Sequence, residues 1–280
     1  MINFNGKIQE ETAVITADNR GYNYGDAVFE TIKASHGKLL FWEDHYFRLM
    51  ASMRIMRMEI PMRFTMEFLQ EEILKTLKSN DLINASARVK LLINRNEGGF
   101  YLPTDNNVSF IISTQVLNAD FYLLNENPYV VDLFKDFYVS PGLLSTLKTN
   151  NKAINVIGSI YATENELDNC LLLNTNKSIV EALNGNIFVV KGNSIKTAPI
   201  EDGCLKGVMR KQIIEIIELL PEYTLEENSI SPFELQKADE IFITNVIVGI
   251  QSITKYRKKE FENKVAKILL QKLNVKVRLG

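Results

Sequence analysis

Hydrophobic and polar residues alternate in short runs through the first part of the chain, and these runs predict strands. Two short strands are expected within residues 1–17. A longer apolar run at 27–33 is expected to pair with residues 39–41 through a tight turn. Further strands are predicted at 88–94 and 108–114, which a loop containing glycine and proline connects.

Helical spacing of apolar residues interrupts these strands twice. Asp44 is the expected N-cap of a helix that runs to Met58, because its short side chain can accept a hydrogen bond from a backbone N–H of the first turn. A second helix is predicted over 65–79, with an acidic residue near its start. Residues 18–26 are predicted to form a loop.

The second half of the chain shows a different alternation. A strand at 129–134 precedes a predicted helix over 153–169, and short strands then alternate with turns rich in asparagine and glycine. A further helix is predicted over 207–220, where Pro221 ends it. A strand follows at 240–245. Together these elements predict an α+β protein.

The polar stretch 118–128 has little periodicity, so we interpret it as an interdomain linker. It separates an N-terminal α/β domain, residues 1–117, from a C-terminal domain, residues 129–280. A chain of 280 residues is long enough for two domains with separate cores.

Composition and charge narrow the possible functions. The chain is 46% hydrophobic and 24% charged, with a net charge of −2, so no basic surface indicates nucleic-acid or membrane binding. No apolar run approaches the ~20 residues of a membrane span. Cys170 and Cys204 lie in or beside apolar runs and are expected to be core residues. The two histidines, His36 and His45, have no evident ligand partners, so no metal site is predicted.

The N-terminus lacks the features of a signal peptide. Residues 1–4 have neither a basic region nor the start of a long apolar core. The cytoplasm is therefore the expected location.

Two polar residues in the second half suggest covalent cofactor chemistry. Lys148 follows a turn rich in proline, glycine and serine at the mouth of a predicted helix, which makes it a candidate Schiff-base amine. Glu181 lies between two strand-like runs, where a carboxylate could pair with the ring nitrogen of a pyridoxal cofactor. From residue type alone, a surface lysine and a turn glutamate remain the alternative interpretation.

Five motifs in order resemble the class IV aminotransferases. They are Gly-Tyr-x-Tyr-Gly-Asp-Ala-Val-Phe-Glu-Thr at 21–31, His-x-x-Arg-Leu at 45–49, Leu-Lys-Thr-x-Asn at 147–151, Val-Glu-Ala-x-x-x-Asn-Ile-Phe at 180–188 and Leu-Lys-Gly-Val-Met-Arg at 205–210. The family comprises fold-type IV pyridoxal phosphate enzymes: branched-chain aminotransferases, D-amino acid aminotransferases and aminodeoxychorismate lyases.

The resemblance implies a fold, a cofactor and partners. The fold would be that of the D-amino acid aminotransferases, with a small N-terminal α/β domain and a larger, barrel-like C-terminal domain that carries the Schiff-base lysine. The cofactor would be pyridoxal 5′-phosphate, the substrate a small amino-acid-like molecule, and the assembly a homodimer.

The resemblance also implies cofactor contacts. Lys148 would hold the cofactor aldehyde and move the substrate proton, Glu181 would pair with the pyridine nitrogen, and Arg48 would bind the phosphate with two hydrogen bonds. The start of the helix at Gly207 would offer backbone N–H groups to the phosphate. The other cofactor-binding residues implied are Asn186, Leu205, Val208, Met209, Asn245 and Val246. For Asn186 a structural turn, and for Leu205 a core position, are the alternatives.

Substrate contacts are implied for Tyr24, Phe29, Thr31, Lys90 and Tyr101. Without the resemblance, Tyr24 and Phe29 would be core residues, and Lys90 would be a surface lysine whose stem lies on an apolar strand. Phe100 stands where lyases and D-amino acid aminotransferases usually carry a carboxylate-binding arginine, which weakens both assignments.

Three functions follow from these motifs. We favour a lyase that converts 4-amino-4-deoxychorismate to 4-aminobenzoate and pyruvate for folate synthesis. The alternative is a transaminase that passes the amino group of a branched-chain, or less readily a D-amino acid, to 2-oxoglutarate. A catalytically idle dimeric binding protein is the third hypothesis, which retention of Lys148, Glu181 and Arg48 disfavours.

Overall fold

The computed structural model describes residues 1–10 and 15–279. The part of the predicted opening strands that falls on residues 11–14 lies outside the described residues. Contacts divide the chain into two units. The first contains Met1–Asp120 and Lys148–Asn151, and the second contains Phe121–Leu147 and Lys152–Gly280. The linker at 118–128 stays a prediction, and residues 148–151 group with the first unit rather than with the second.

The first unit contains a six-stranded antiparallel sheet with the strand order β2-β1-β6-β5-β3-β4. Its strands are β1 (Ile2–Phe4), β2 (Lys7–Gln9), β3 (Ala27–Ser35), β4 (Lys38–Leu39), β5 (Ser86–Arg95) and β6 (Val108–Val116). Its helices are α1 (Arg20–Tyr24), α2 (Trp42–Ile55) and α3 (Met66–Ser79).

Side chains along β3 and β5 point to the two faces of this sheet in turn. Val28 and Ile32 of β3 and Leu91 of β5 are fully buried in one core with apolar residues of α2 and α3. Because successive side chains on a strand point to opposite faces, Phe29 and Thr31 lie on the other face. The core face therefore stabilises the unit, and the opposite face is available for chemistry.

The helix ends of the first unit depart from the predictions in two places. The helix predicted over 65–79 is α3, and Thr65 is its N-cap, accepting from the N–H of Phe68. The prediction that Asp44 caps α2 is wrong: α2 begins at Trp42 after Phe41, which has φ of 56°, so Asp44 lies in the first turn. An acid there still opposes the helix dipole. The loop predicted over 18–26 contains α1, which Asn19 caps.

The second unit is built on a ten-stranded mixed sheet. The order is β12-β11-β10-β9-β8-β7-β15-β16, and β10 also pairs with β13, which pairs with β14. The strands are β7 (Val130–Val139), β8 (Asn169–Asn174), β9 (Ile179–Ala182), β10 (Gly185–Lys191), β11 (Ser194–Thr197), β12 (Thr224–Glu227), β13 (Glu240–Asn245), β14 (Gly249–Ile253), β15 (Lys255–Tyr256) and β16 (Lys259–Glu260).

The described residues of the second unit form four α-helices. They are α4 (Ala153–Glu164), α5 (Val208–Glu218), α6 (Pro232–Leu235) and α7 (Lys264–Leu279). The helix predicted over 153–169 is too long, because Glu166 has φ of 55° and Asn169 already begins β8. The helix α7 was not predicted. No helix among residues 1–10 and 15–279 is long and apolar enough to cross a membrane.

Candidate active site

Lys148 lies in an extended segment that pairs with the first residues of β3. The N–H of Phe29 donates to the carbonyl of Lys148 at 2.9 Å, and the N–H of Asn150 donates to the carbonyl of Ala27 at 3.0 Å. An isolated antiparallel bridge joins Val28 to Thr149 between them. Lys148 precedes α4, which begins at Ala153 as predicted, and sheet hydrogen bonds fix the backbone of Lys148.

The aromatic ring of Phe29 contacts two lysine side chains. The Nζ atom of Lys148 lies 4.5 Å from the ring centroid, and the Nζ atom of Lys90 lies 5.1 Å from it. Thr31 is the direct partner of Lys90 in the register of β3 and β5. The structure thus brings Lys148 together with three of the predicted substrate residues on the face opposite the core.

The ammonium group of Lys90 is partly withdrawn from water. Burial lowers its pKa below the ordinary value of 10.5, and the neighbouring Arg88 lowers it further. Both effects disfavour the charged form. An anionic group of a ligand beside Lys90 would stabilise the charged ammonium form against both effects.

Arg48 is held by a buried carboxylate on β3. Its Nε atom donates to Oε1 of Glu30 at 2.8 Å, and an Nη atom donates to Oε2. His45, one helical turn earlier, contacts the same carboxylate through Nδ1 at 2.6 Å. The His-x-x-Arg motif therefore places both side chains of α2 on Glu30, a residue that the sequence did not single out.

Tyr24 and Tyr101 contact each other at the loop after β5. Their ring centroids lie 5.8 Å apart, and the guanidinium of Arg20 lies 5.0 Å from the ring of Tyr24. Tyr101 is 91% exposed, and its neighbour Phe100 is 83% exposed. Among the predicted substrate residues, these two tyrosines form a separate exposed pair.

Arg20 fixes the backbone of this loop through hydrogen bonds. Its side chain is buried and donates to the carbonyls of residues 98–101, and its Nε atom donates to Asp26 at 3.0 Å. Arg95 donates to the same carboxylate oxygen at 2.9 Å. Sequence reasoning missed this network, because no local pattern connects two arginines that lie 75 positions apart.

In the second unit, Glu181, Asn186 and Thr244 form a row across three strands. Glu181 pairs with Asn186 in the register of β9 and β10, and Asn186 pairs with Thr244 in the register of β10 and β13. Glu181 accepts a hydrogen bond from the N–H of Leu205 at 2.9 Å, and Asn186 donates to the carbonyl of Leu205 at 2.8 Å. Glu181 lies within β9, so the alternative of a turn glutamate is wrong.

Gly207 connects this row to the start of α5. It is the N-cap residue of that helix, without a side-chain cap. A Cβ atom on residue 207 would overlap the side-chain oxygen of Asn186, so the site requires glycine. Because the first N–H groups of a helix have no partner within it, Val208 and Met209 can bind an anion through their backbone.

Asn245 and Val246 form a turn between β13 and β14. The side-chain oxygen of Asn245 accepts hydrogen bonds from the N–H groups of Ile247 and Val248, at 3.0 and 3.1 Å. The carbonyl of Val246 accepts one from Tyr122 at 2.9 Å. Asn245 therefore builds the turn with its own side chain.

Thr244 was not predicted as a site residue. It is 1% exposed, and within residues 1–10 and 15–279 its hydroxyl has no hydrogen-bond partner. Since a buried hydroxyl without a partner costs roughly 1–3 kcal/mol, the row leaves one donor for a ligand. A polar residue inside the apolar strand β13 was the signal in the sequence.

Comparison with known proteins identifies the family. The profile of the family described as amino-transferase class IV matches residues 27–256. The chain belongs to this family. Members are enzymes that depend on pyridoxal phosphate, so the predicted family, enzymatic nature and cofactor are confirmed.

Several curated proteins are similar to the chain over most of its length. A Methanocaldococcus jannaschii protein assigned as a branched-chain-amino-acid aminotransferase is 27% identical over 99% of this chain and 95% of its own. A D-alanine aminotransferase of Staphylococcus epidermidis is 24% identical over 89% and 86%. An aminodeoxychorismate lyase of Vibrio harveyi is 25% identical over 84% and 85%.

The fold is that of solved class IV aminotransferases. The Escherichia coli branched-chain amino acid aminotransferase superposes with a TM-score of 0.86, at 22% identity, over 96% of this chain and 92% of that one. The predicted fold class is confirmed.

Proposed function

We propose that the chain is a pyridoxal-phosphate-dependent 4-amino-4-deoxychorismate lyase, which releases 4-aminobenzoate and pyruvate. The observation that supports this reaction best is the arrangement on β3 and β5, where Phe29 contacts both Lys148 and Lys90. A reactive amine and a second cation on one face suit a substrate that carries an amino group and a separate carboxylate.

The donor set fits the cofactor. Three polar features would be satisfied by a phosphate or a ring substituent. They are the close approach that Gly207 permits, the start of α5 without a side-chain cap, and the buried hydroxyl of Thr244. We assign Val208 and Met209 to the phosphate through backbone N–H groups, and Arg48 through its guanidinium. Asn245 and Val246 would contribute backbone groups of their turn.

Three further residues would act on the cofactor ring. Glu181 would hold a proton on the pyridine nitrogen, and its bond to the N–H of Leu205 fixes the carboxylate for this task. Asn186 fixes the carbonyl of Leu205 from the other side, and the leucine side chain would pack on the ring. When bound, the cofactor supplies a ring that takes up an electron pair released at the amine-bearing carbon.

The chain itself would move the proton. Lys148 would bind the cofactor aldehyde at rest and take the proton from the ring carbon that carries the substrate amino group. The C–O bond at the neighbouring carbon would then break, and its electron pair would leave with the oxygen as the enolate of pyruvate. A proton returned to the methylene carbon of the enolate completes pyruvate, and the ring becomes aromatic. No amino acceptor is consumed. Lys90 and the hydroxyl of Thr31 would hold a carboxylate, while Tyr24 and Tyr101 would line the entrance.

The second candidate is a transaminase acting on a branched-chain amino acid. The similarity to the Methanocaldococcus jannaschii protein over 99% of this chain favours it. Phe100 also favours an aliphatic substrate. This exposed apolar residue stands where an arginine that binds a second carboxylate is expected, and a branched-chain amino acid has no second carboxylate.

One assay separates the two. The purified enzyme is given 4-amino-4-deoxychorismate without a 2-oxo acid, and pyruvate and 4-aminobenzoate are measured. In parallel it is given a branched-chain amino acid with and without 2-oxoglutarate, and glutamate is measured. Equal amounts of pyruvate and 4-aminobenzoate support the lyase. Turnover that depends strictly on 2-oxoglutarate would refute it and support the transaminase.

We also infer a homodimer, from the surface of α4. Val156, Ile157 and Ile160 are 57%, 40% and 54% exposed on a helix whose only charged residue is Glu164. Part of this helix lines a depression of about 420 Å³. Contiguous apolar side chains on a surface helix are typical of a protein interface.

The cytoplasmic location stays a prediction.

A further inference from the structure

Glu30, His45 and Arg48 form a buried charged cluster between β3 and α2. The side chains of Glu30 and His45 are 1% and 0% exposed, and that of Arg48 is 11% exposed. The carboxylate accepts from two nitrogens of Arg48 through its two oxygens, and Nδ1 of His45 contacts one of these oxygens. Both carboxylate oxygens of Glu30 therefore have hydrogen-bond partners.

The charges of the cluster are fixed around neutral pH. Burial alone would raise the pKa of Glu30, but Arg48 and His45 outweigh it and lower the pKa to about 2. Burial lowers the pKa of His45, so its imidazole is neutral at pH 7. Neutral His45 then donates through Nδ1 to Glu30, and Nε2 is an acceptor without a partner in the described part of the chain.

Packing alone does not explain this cluster. Bringing a carboxylate and a guanidinium out of water is costly, and apolar residues of similar volume often stabilise a core at least as well. A task that needs an oriented guanidinium does explain the cluster. An arginine side chain has many rotamers, and a two-point contact to Glu30 removes that freedom before any ligand binds.

We propose that Glu30 is the positioning residue of Arg48, fixing the plane and rotation of the guanidinium that binds the cofactor phosphate. His45 contacts Oε2 of the same carboxylate through Nδ1 and so helps to fix it. This inference rests on the proposed function of Arg48 as a phosphate ligand. Glu30 touches neither cofactor nor substrate in this role, because it acts through Arg48.

Replacement of the carboxylate by an amide tests the inference. Glu30→Gln keeps the size of the side chain but turns an NH₂ group toward the N–H groups of Arg48 or His45, so the guanidinium loses its two-point contact. We expect the dissociation constant of pyridoxal 5′-phosphate to rise about tenfold, the size of effect that loss of an orienting partner has at metal sites. The affinity for pyridoxal, which lacks the phosphate, should change less than twofold.

Two companion variants separate positioning from general damage. Glu240→Gln disturbs another buried carboxylate, which accepts from the N–H groups of Val265 and Ala266, so it controls for lost stability and should leave cofactor affinity unchanged. In an Arg48→Ala background, Glu30→Gln should have no further effect on cofactor affinity. Where Glu30→Gln does not fold, Glu30→Asp keeps the charge but withdraws the carboxylate, and the same selective loss is expected.

The outcomes distinguish this inference from the proposed function. Equal or tighter binding of pyridoxal 5′-phosphate by Glu30→Gln, or equal losses for the phosphate and pyridoxal, would overturn the positioning role while the wild type still binds its cofactor. A wild type that binds neither compound would overturn both proposals.

Discussion

Glu181 and Asn186 face each other across two strands, and their side chains hold the N–H and the C=O of the same residue, Leu205. The two contacts fix the backbone just before Gly207, where α5 begins. The position of the helix start therefore depends on side chains from the sheet rather than on a capping residue of its own.

Gly207→Ala should disturb this arrangement. The added Cβ atom would overlap the side-chain oxygen of Asn186, which is 3% exposed and bound to Leu205. Overpacking of this kind costs roughly 1–3 kcal/mol of unfolding free energy. Urea denaturation measures that cost, and cofactor titration should show weaker binding. Gly142→Ala, with extended backbone and no atom near its Cβ position, is the control expected to be neutral.

Lys148→Ala should abolish the visible absorbance of the purified enzyme and lower turnover about a thousandfold or more, because we assign both covalent attachment and proton transfer to this amine. Lys152→Ala removes a lysine four positions later and should keep colour and activity. Spectra and product assays of both proteins test the assignment. A coloured, active Lys148→Ala enzyme would rule it out.

Lys90, which we propose holds a substrate carboxylate, should give the substrate affinity a pH dependence. Its pKa is lowered, mainly by burial and then by Arg88, so it loses its charge as the pH rises through a value below 10.5. The KM for an anionic substrate should then increase in that range. Lys90→Gln should raise KM roughly 10–100-fold at neutral pH, the value of a charge-assisted hydrogen bond, and remove the dependence. Lys90→Arg, which stays charged, should restore affinity at high pH. A KM that is the same for all three enzymes would exclude Lys90 from the site.

Local patterns predicted the elements that local physics controls. The strand-like runs at 27–33 and 88–94 predicted β3 and β5, and the helical spacing of apolar residues over 65–79 predicted α3. The start of α2 was missed because Phe41 adopts a left-handed conformation that its side chain does not favour. The helix α7 was missed although Val265, Leu269 and Leu273 recur with helical spacing.

The motifs name candidate site residues, and their roles stay predictions; the geometry around them could not be read from the sequence. Motifs indicated Arg48, Lys148 and Glu181, but the extended conformation of Lys148 comes from hydrogen bonds to a strand about 120 positions earlier. Likewise, Glu30 was hidden inside an apolar strand, where its partners on α2 could not be seen without the fold. Pairings distant in sequence leave no periodic signal.

Glu30 should make the protein sensitive to acid. Its folded-state pKa of about 2 lies below the ordinary 4.5, so its contribution to stability is complete above pH 4.5 and is lost as the pH falls toward 2. The difference in unfolding free energy between the wild type and Glu30→Gln should therefore shrink by about 1 kcal/mol between pH 5.5 and 3.5. Urea denaturation at both pH values measures it. A difference that grows on acidification would contradict the sign.

A charge on the exposed apolar face of α4 should disrupt the proposed homodimer. Ile160→Glu places a charge among the exposed side chains of Val156 and Ile157, and burying that charge against a second copy would cost several kcal/mol. We expect the dimer to dissociate at micromolar concentration, as measured by sedimentation velocity, while the circular dichroism spectrum stays the same. Leu219→Glu, on an 81% exposed leucine of the same unit, should remain dimeric. If Ile160→Glu also stays dimeric, the interface lies on another surface of the protein. A wild type that sediments as a monomer would instead refute the dimer itself, because an apolar α4 face would then be tolerated in water without a partner.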